Sequence, residues 1–414
     1  MNIIRLSTAG SVDDGKSTFI GRLLYDTQSI PKDKIENIKK VSAKRGNGEI
    51  DLSLITDGLT AERDQGITID VAHIYFATKK RKYIIADTPG HVEYTRNMIT
   101  GASNAQVFII LIDARKGIVE QTKRHLFIAS LMQIKEIIFV INKMDLVDFK
   151  EENYLEILKE IEVLQDKFDL NKRNLSYFPI SAKLGDNLAR LSENTPWYKG
   201  KTVIEHLESI KNFTEQNQDF RFDVQYVIRP QQDGFHDYRA YAGKVLSGSI
   251  AVGDQIKVQS TGQTTTIKAI HRYKDQLLKA EKGDAVAIEL EADIDISRGD
   301  LLTETNGELI GQKRINSKIC WLNKSELNPA QKYLFKQGAF TTQIKVDSVT
   351  NQLDFDALEF VPNPMRTQVN SISEVVLKSA SPLYMDRYID NPSNGAFILI
   401  DIYTNATVAV GFKS

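Results

Sequence analysis

"GSVDDGKS", Gly10 to Ser17, stands near the start of the chain, just after the apolar run "IIRLS". It has the form G-x-x-x-x-G-K-S. Such a loop needs its glycines so that backbone N–H groups can turn inward onto phosphate oxygens. The helix that opens near Lys16 then presents its positive end to the same anion. Lys16 is expected at the β- and γ-phosphates, and the Ser17 hydroxyl on Mg2+. Gly10, Ser11, Val12, Asp13, Asp14, Gly15 and Thr18 complete the expected cradle. The loop follows a strand and opens a helix, which is the context the motif requires.

Further along, short motifs fall at the ends of apolar runs. "INKMD", Ile141 to Asp145, follows "IIFV". In N-K-x-D the Asp145 carboxylate can accept from the N1–H and the exocyclic amine of guanine. Adenine offers no such pair, so an ATP complex would leave a desolvated carboxylate unpaired. Asn142 can bond the base edge and brace the phosphate loop, and the stem of Lys143 can lie over the ring. "ISAK" places Ser181, Ala182 and Lys183 where backbone can meet the guanine carbonyl. "DTPGH", Asp87 to His91, ends the run "KYIIA". Asp87 suits Mg2+ through an intervening water, and the Gly90 N–H suits the γ-phosphate. "GITID", Gly66 to Asp70, precedes "VAHIYFA", and Thr68 can bond Mg2+ and the γ-phosphate together. Loops of this kind are ordered by a γ-phosphate and released on its hydrolysis. Taken in order, the motifs make GTP the expected nucleotide and Mg2+ its expected metal.

The first half of the chain alternates strand and helix. Strand candidates are "IIRLS", "VAHIYFA", "KYIIAD", "VFIILID", "IIFVIN" and "YFPISA", with helical patterns such as "NYLEILKEIEVLQDKF" between them. That alternation predicts an α/β domain with a largely parallel sheet and helices on both faces, over residues 1–212. From "FRFDVQYVIRP" onward the strands become short and alternating. Gly253-Asp254, Gly283-Asp284 and Gly299-Asp300 mark turns between them. Two all-β barrel domains are expected, over 213–306 and 307–414.

Lys plus Arg number 53 against 54 for Asp plus Glu, a formal net charge of -1. That balance disfavours a dedicated nucleic-acid carrier. The one cysteine, Cys320, sits in the apolar "KICWL" and reads as core. No apolar run reaches the length of a membrane span. The opening residues read as a strand entering a loop, not as a signal peptide. A reduced, cytoplasmic protein is the expectation.

The motif set resembles the translation-factor superfamily of GTPases, whose members join a GTPase domain to two β-barrels. By that resemblance His91 is the residue that places the attacking water, gated by the apolar pair Val12 and Ile67. Lys16, Thr68 and Gly90 would stand with it as catalytic groups. Where the elongation factors read G-H-V-D-[HS]-G-K, this chain has Ser11 and Asp14. In that respect it is similar to the large GTPase subunit of bacterial sulfate adenylyltransferase, the CysN family. The likeness continues in "GRLLYDT", "TDGLTAERDQGITID", "EYTRNMITGAS" and "DARKGIVEQTKRH". Beyond the GTPase domain it extends to "QYVIRP", "YAGKVLSGSI", "DISRGDLL" and "LIDIYTNATVAVG". One departure is Val92-Glu93 after the histidine, where the family usually has an acid or Gln pair.

The resemblance implies synthesis of adenosine 5'-phosphosulfate and pyrophosphate from ATP and sulfate, driven by GTP hydrolysis. Adenylyl transfer would take place on a smaller, CysD-like partner in a heterodimer or higher assembly, with no nucleic acid and no membrane involved. Asp13 and Asp14 would then be loop-shaping residues, their side chains turned outward while the backbone faces phosphate. The rival readings are a translational GTPase delivering aminoacyl-tRNA, a chain with a fused adenylylsulfate kinase, and a GTP-sensing scaffold. The fused kinase would need a further C-terminal domain with its own phosphate loop, and no second loop is present in these residues. The histidines other than His91 have no comparable setting and read as structural or solvated.

Overall fold

Five or six apolar residues in succession make a strand that is buried on both faces, as parallel sheets demand. In the computed structural model, which describes residues 3–44, 50–55, 71–89, 95–211, 218–230, 238–306 and 309–414, two such runs lie at the heart of the first domain. The six strands there are β1 (Ile3–Ala9), β2 (Ala72–Ala77), β3 (Lys82–Asp87), β4 (Val107–Asp113), β5 (Glu136–Asn142) and β6 (Asn174–Pro179). Every residue of β4 and β5 is buried. The sheet order is β2-β3-β1-β4-β5-β6. All neighbours run parallel except β2, which is antiparallel to β3 at the edge.

The connecting helices are α1 (Lys16–Asp26), α2 (Lys32–Lys44), α3 (Thr95–Ala102), α4 (Glu120–Leu131), α5 (Glu151–Lys167) and α6 (Val203–Ser209). Phe19, Ile20 and Leu23 of α1 and Val203 and Leu207 of α6 pack onto Leu6, Ile85, Ile109, Leu111 and Val140 of the sheet. α6 begins with a reciprocal cap. The Glu205 N–H donates to Thr202 Oγ1 at 3.2 Å, and the Thr202 N–H to Glu205 Oε2 at 2.9 Å. Two orphan donors of the helix start are satisfied this way. Parallel register sets Thr8 against Asp87, and Asp113 against Asn142. The loops that follow β1, β3, β4, β5 and β6 therefore leave one edge of the sheet, where open α/β sheets place their ligands.

The rest of the chain alternates inward and outward residues. The strands β7 (Arg221–Ile228), β8 (Ala240–Ser247), β9 (Ser249–Ala251), β10 (Gln255–Val258), β11 (Thr264–Arg272), β12 (Asp275–Leu277), β13 (Lys279–Glu281), β14 (Ala285–Leu290) and β15 (Leu301–Glu304) come first. β10, β15, β7, β8, β14 and β11 pair in that order, and β11 pairs back with β10 to close an antiparallel barrel. Then follow β16 (Gln312–Trp321), β17 (Lys332–Gln337), β18 (Phe340–Asp354), β19 (Glu359–Pro362), β20 (Ile372–Leu383), the one-turn helix α7 (Pro392–Gly395), β21 (Ala396–Asp401) and β22 (Thr407–Lys413). β17, β21, β22, β16, β20 and β18 close a second barrel through the β17–β18 pairing. Closure removes the exposed edges that an open sheet would present. Cys320 is fully buried on β16, as its apolar setting led us to expect. Among the described residues no helix is long and apolar enough to cross a membrane.

The three Gly-Asp pairs share one geometry. Gly253, Gly283 and Gly299 have φ of 92°, 93° and 95°, which only glycine adopts without cost. The following aspartate closes the turn twice. Its N–H donates to the carbonyl three residues back, at Ala251, Glu281 and Ser297. Its carboxylate accepts the N–H of that same residue at 2.8, 2.9 and 2.7 Å.

By contact density the chain forms two compact units. One comprises Met1–Phe213 with Phe355–Leu358, the other Thr214–Asp354 with Glu359–Ser414. Within the second unit a buried ion pair joins the barrels. Arg221 of β7 donates from Nε and Nη2 to the two carboxylate oxygens of Asp386, each at 3.0 Å. Asn391 and Asn394 donate to Asp386 Oδ2 at 3.1 and 2.8 Å.

Candidate nucleotide-binding site

A cleft of about 1140 Å³ opens at the strand-end edge of the parallel sheet, and Gly15, Thr18, Asn142, Lys143, Asp145, Ala182 and Lys183 are on its walls. The loop from Gly10 to Gly15 joins β1 to α1. Gly15 has φ 87°, and a Cβ there would stand 2.5 Å from Asn142 Nδ2, so no other residue fits. No side chain caps the first N–H groups of α1, which begins at Lys16. Those donors, with the positive end of the helix dipole, suit an anion. Ser17 and Thr18 lie in this first turn, partly exposed.

Lys16 is nearly buried and bonds protein oxygens on the neighbouring strand end. Its Nζ donates to the Thr88 carbonyl and lies 3.3 Å from Asp87 Oδ1. Asp87 also accepts from Thr8 Oγ1 at 3.3 Å, and the Thr88 hydroxyl donates to the Thr8 carbonyl at 2.6 Å. A lysine, a carboxylate and a hydroxyl-bearing helix turn are thus brought together. The Ser17 hydroxyl and the Asp87 carboxylate are hard oxygen donors of the kind Mg2+ takes, and they fit that ion with a nucleotide's own oxygens as the remaining ligands. Among the described residues there is no cluster of three or more His, Cys, Asp or Glu that could hold a metal unaided. Thr68, Gly90 and His91, with Ile67, Val92 and Glu93, lie outside the described residues.

Asn142 does the bracing expected of it. Its Nδ2 donates to the Asp14 carbonyl at 2.8 Å, and its Oδ1 accepts the Ala182 N–H at 2.9 Å. One amide therefore ties the phosphate loop to the "ISAK" loop across β5. Lys143, at φ 65°, donates to the Asp13 carbonyl and lies 3.1 Å from Asp113 Oδ2. Asp145 lines the cleft in the short 3-10 turn Met144–Val147. Ser181 is buried, and its Oγ accepts the Leu184 N–H at 3.2 Å, shaping the loop that offers Ala182 and Lys183.

The two acids of the loop part company, which corrects the expectation that both turn outward. Asp13 is exposed, with φ 70°. Asp14 is buried, only 2% accessible, and its Oδ2 accepts the Ser11 N–H at 2.6 Å. Burial raises its carboxyl to about 6, against the pull of that hydrogen bond and of Lys116. The loop-shaping role stands, but Asp14 performs it from inside. The physical reason is local: turned inward, the carboxylate accepts the Ser11 N–H and closes the loop on itself.

Sequence reasoning missed two groups, Arg22 and Arg115. Arg22 of α1 donates from Nε to the Ala182 carbonyl at 3.2 Å and from Nη2 to the Lys183 carbonyl, clamping the base loop to the helix. Arg115 lines the cleft beside Asp145, fixed by Asp113. His125 of α4 is fully buried, and burial, then the charge of Lys16, lowers its imidazole to about 3. Only the position of "DARKG" just after a strand could have signalled Arg115. Nothing in the sequence marks Arg22. Of the other histidines described, His206 lies 3.1 Å from Glu136 and His271 2.7 Å from Glu289, in keeping with structural roles.

The Elongation factor Tu GTP binding domain family matches residues 1–215, and the GTP-eEF1A C-terminal domain-like family matches residues 314–412. The sulfate adenylyltransferase subunit 1 of Colwellia psychrerythraea is 44% identical over 412 residues, covering 99% of this chain and 87% of its own length. That of Bacteroides thetaiotaomicron is 43% identical, with 99% and 86% covered. The bifunctional enzyme CysN/CysC of Mycobacterium tuberculosis is 44% identical over 411 residues, 99% of this chain and 67% of the longer protein. In fold, the chain resembles the GTPase-like domain of Saccharomyces cerevisiae Ski7 solved with GTP, at a TM-score of 0.54 and 18% identity over 100% of this chain and 97% of that one.

Proposed function

The chain belongs to the sulfate adenylyltransferase subunit 1 family of GTPases, and from that premise we propose that it is the GTP-hydrolysing subunit of an ATP sulfurylase. The observation that carries this reading is chain-long identity to proteins so named, combined with a cleft whose Asn142 ties phosphate loop and base loop together. In this reading GTP lies in the cleft. Its phosphates meet the backbone of Gly10 to Gly15, the start of α1 and Lys16. Its base meets Asp145 and the Ser181–Lys183 loop. Mg2+, held by Ser17, Thr68 and Asp87, would neutralise charge on the phosphates. His91 orients the water that attacks the γ-phosphorus, and GDP and phosphate leave. Phosphoryl transfer asks little more of a protein than positioning and charge neutralisation.

Hydrolysis of this kind can drive ATP and sulfate to adenosine 5'-phosphosulfate and pyrophosphate. That step needs a second nucleotide site, which we assign to a small adenylyltransferase partner. Thr68 and Gly90 would report the γ-phosphate to it. Their report must rest on partner contacts that differ between the GTP and GDP states, because equal contacts shift no equilibrium.

The test is labelled-sulfate incorporation with each chain alone and then together. The pair should respond to GTP, a non-hydrolysable analogue should not sustain the yield, and Lys16→Ala should abolish both effects. Robust adenylylsulfate formation by this chain alone would refute the division of labour. Tight, GTP-dependent binding of aminoacyl-tRNA would move the assignment to translation.

A further inference from the structure

Arg115 has no task in the reading above. It follows β4 by two residues and lines the cleft with Asn142, Lys143 and Asp145. Asp113, the last residue of β4, fixes its place. The Arg115 Nε lies 3.0 Å from Oδ1 of that carboxylate and Nη2 lies 2.7 Å from Oδ2, while the Arg115 backbone N–H donates to Oδ1 at 2.9 Å. Lys143 Nζ takes Oδ2 at 3.1 Å. Burial alone would raise the Asp113 carboxyl, but the hydrogen bonds from Arg115 and Lys143 outweigh it and hold the group well below the usual carboxylate range. One buried anion therefore holds two cations that issue from neighbouring strand ends, since Asp113 is the register partner of Asn142.

What this leaves of Arg115 is specific. The edge formed by Nε and Nη2 is spent on Asp113. Among the described residues no acceptor meets Nη1, and the side chain is 44% exposed, against 21% for Lys143. After Asp113, the acids whose charges act on the guanidinium are Asp145 and Asp13, so it lies beside the residue that reads the base. A planar cation with one edge fixed and nearly half of its side chain exposed to the cleft is suited to stack on an aromatic ring.

We propose that Arg115 contacts the bound nucleotide at its base: the guanidinium, held by Asp113, stacks on the purine and forms a second wall of the slot that Lys143 and Asp145 begin. Asp113 is then a positioning residue for both cations. The inference rests on the guanine-nucleotide reading of the cleft. Stacking does not read exocyclic groups, so Arg115 supplies affinity while Asp145 supplies selectivity.

Titration calorimetry on the full chain with Mg2+ separates the possibilities, using GTP, GDP and GMP as probes. Arg115→Ala should weaken all three by a common factor of roughly 2- to 30-fold, the span of a cation–π contact between exposed and desolvated settings. Arg115→Lys keeps the charge and loses the plane, so it should show most of the same loss. It also serves as the test if the alanine variant fails to fold. Full affinity in either variant overturns the inference, as does a loss that grows from GMP to GTP, which would place the guanidinium on phosphate. Failure of the wild-type chain to bind GTP, or of Asp145→Asn to favour xanthosine triphosphate, would instead overturn the reading of the cleft itself.

Discussion

The nucleotide cleft and the seam between the barrels each contain a forked arginine–aspartate pair, and the two pairs differ in what they leave over. In the seam the Arg221 side chain is 3% exposed, and every nitrogen has a protein acceptor: Asp386 for Nε and Nη2, the Phe220 carbonyl for Nη1, and Asp219 for Nη2 again. In the cleft the Arg115 side chain is 44% exposed, and among the described residues one edge is engaged. The same chemistry serves two ends. A fully satisfied buried pair holds surfaces together and offers nothing to a ligand. A half-satisfied pair at a strand end presents a rigid cation to whatever enters.

If that division is right, variants in the seam should change stability and leave nucleotide handling alone, and variants in the cleft should do the reverse. The largest effect is expected from Arg221→Ala, which strands Asp386 among buried groups. Breaking a buried pair from one side costs about 3–5 kcal/mol. Calorimetric unfolding should show that loss, with GTP affinity within a few-fold of wild type. A matching fall in affinity would mean that the two regions are not separable.

Next in size is His91→Ala. It should leave GTP affinity within a few-fold and slow single-turnover hydrolysis, measured with the partner present, by roughly 10²-fold. A normal rate would remove His91 from the reaction.

Asp14 of the phosphate loop couples stability to pH. Its carboxyl is raised from 3.8 to about 6 by burial, so the folded state prefers the protonated form. Its contribution to stability is complete below 3.8 and is lost as the pH rises through 6. At about 1.4 kcal/mol per pH unit, the loss is at most on the order of 3 kcal/mol. Urea unfolding at pH 5 and pH 8 should therefore favour Asp14→Asn over wild type at the higher pH, with the gap closing at the lower. An equal gap at both values would remove the titration from Asp14.

The smallest change expected is for Thr202→Ala, which opens the cap of α6 at a residue not on the cleft walls. A loss of about 1 kcal/mol in the thermal melt is the usual cost of such a cap. GTP affinity should not move.

The α/β half of the fold could be read from the sequence because β4 and β5 are apolar at every position that matters, and the barrels because β11 and β18 alternate. The three-residue strands β9, β12 and β13 could not be read, since so short a segment has no period and owes its conformation to its partner. In the site, the phosphate loop and N-K-M-D were legible because their donors and acceptors are neighbours in sequence. Arg22 was not, because the carbonyls it grips lie 160 and 161 residues away. The inward turn of Asp14 was hidden for a different reason. Composition places acids in water, whereas here a backbone donor 2.6 Å away decides the matter.

The Gly-Asp turns of the first barrel have a kinetic consequence. Each closes on itself within four residues, by a backbone bond and a carboxylate bond to the same partner. Closing so short a segment costs little chain entropy, and a glycine already at home in the left-handed region adds no strain. These turns can therefore form before the strands they join have found their partners elsewhere in the barrel. An antiparallel barrel, slow to fold because its pairings are distant in sequence, thus starts with several of its connections between strands already made. An alanine at Gly283 should slow refolding more than it speeds unfolding.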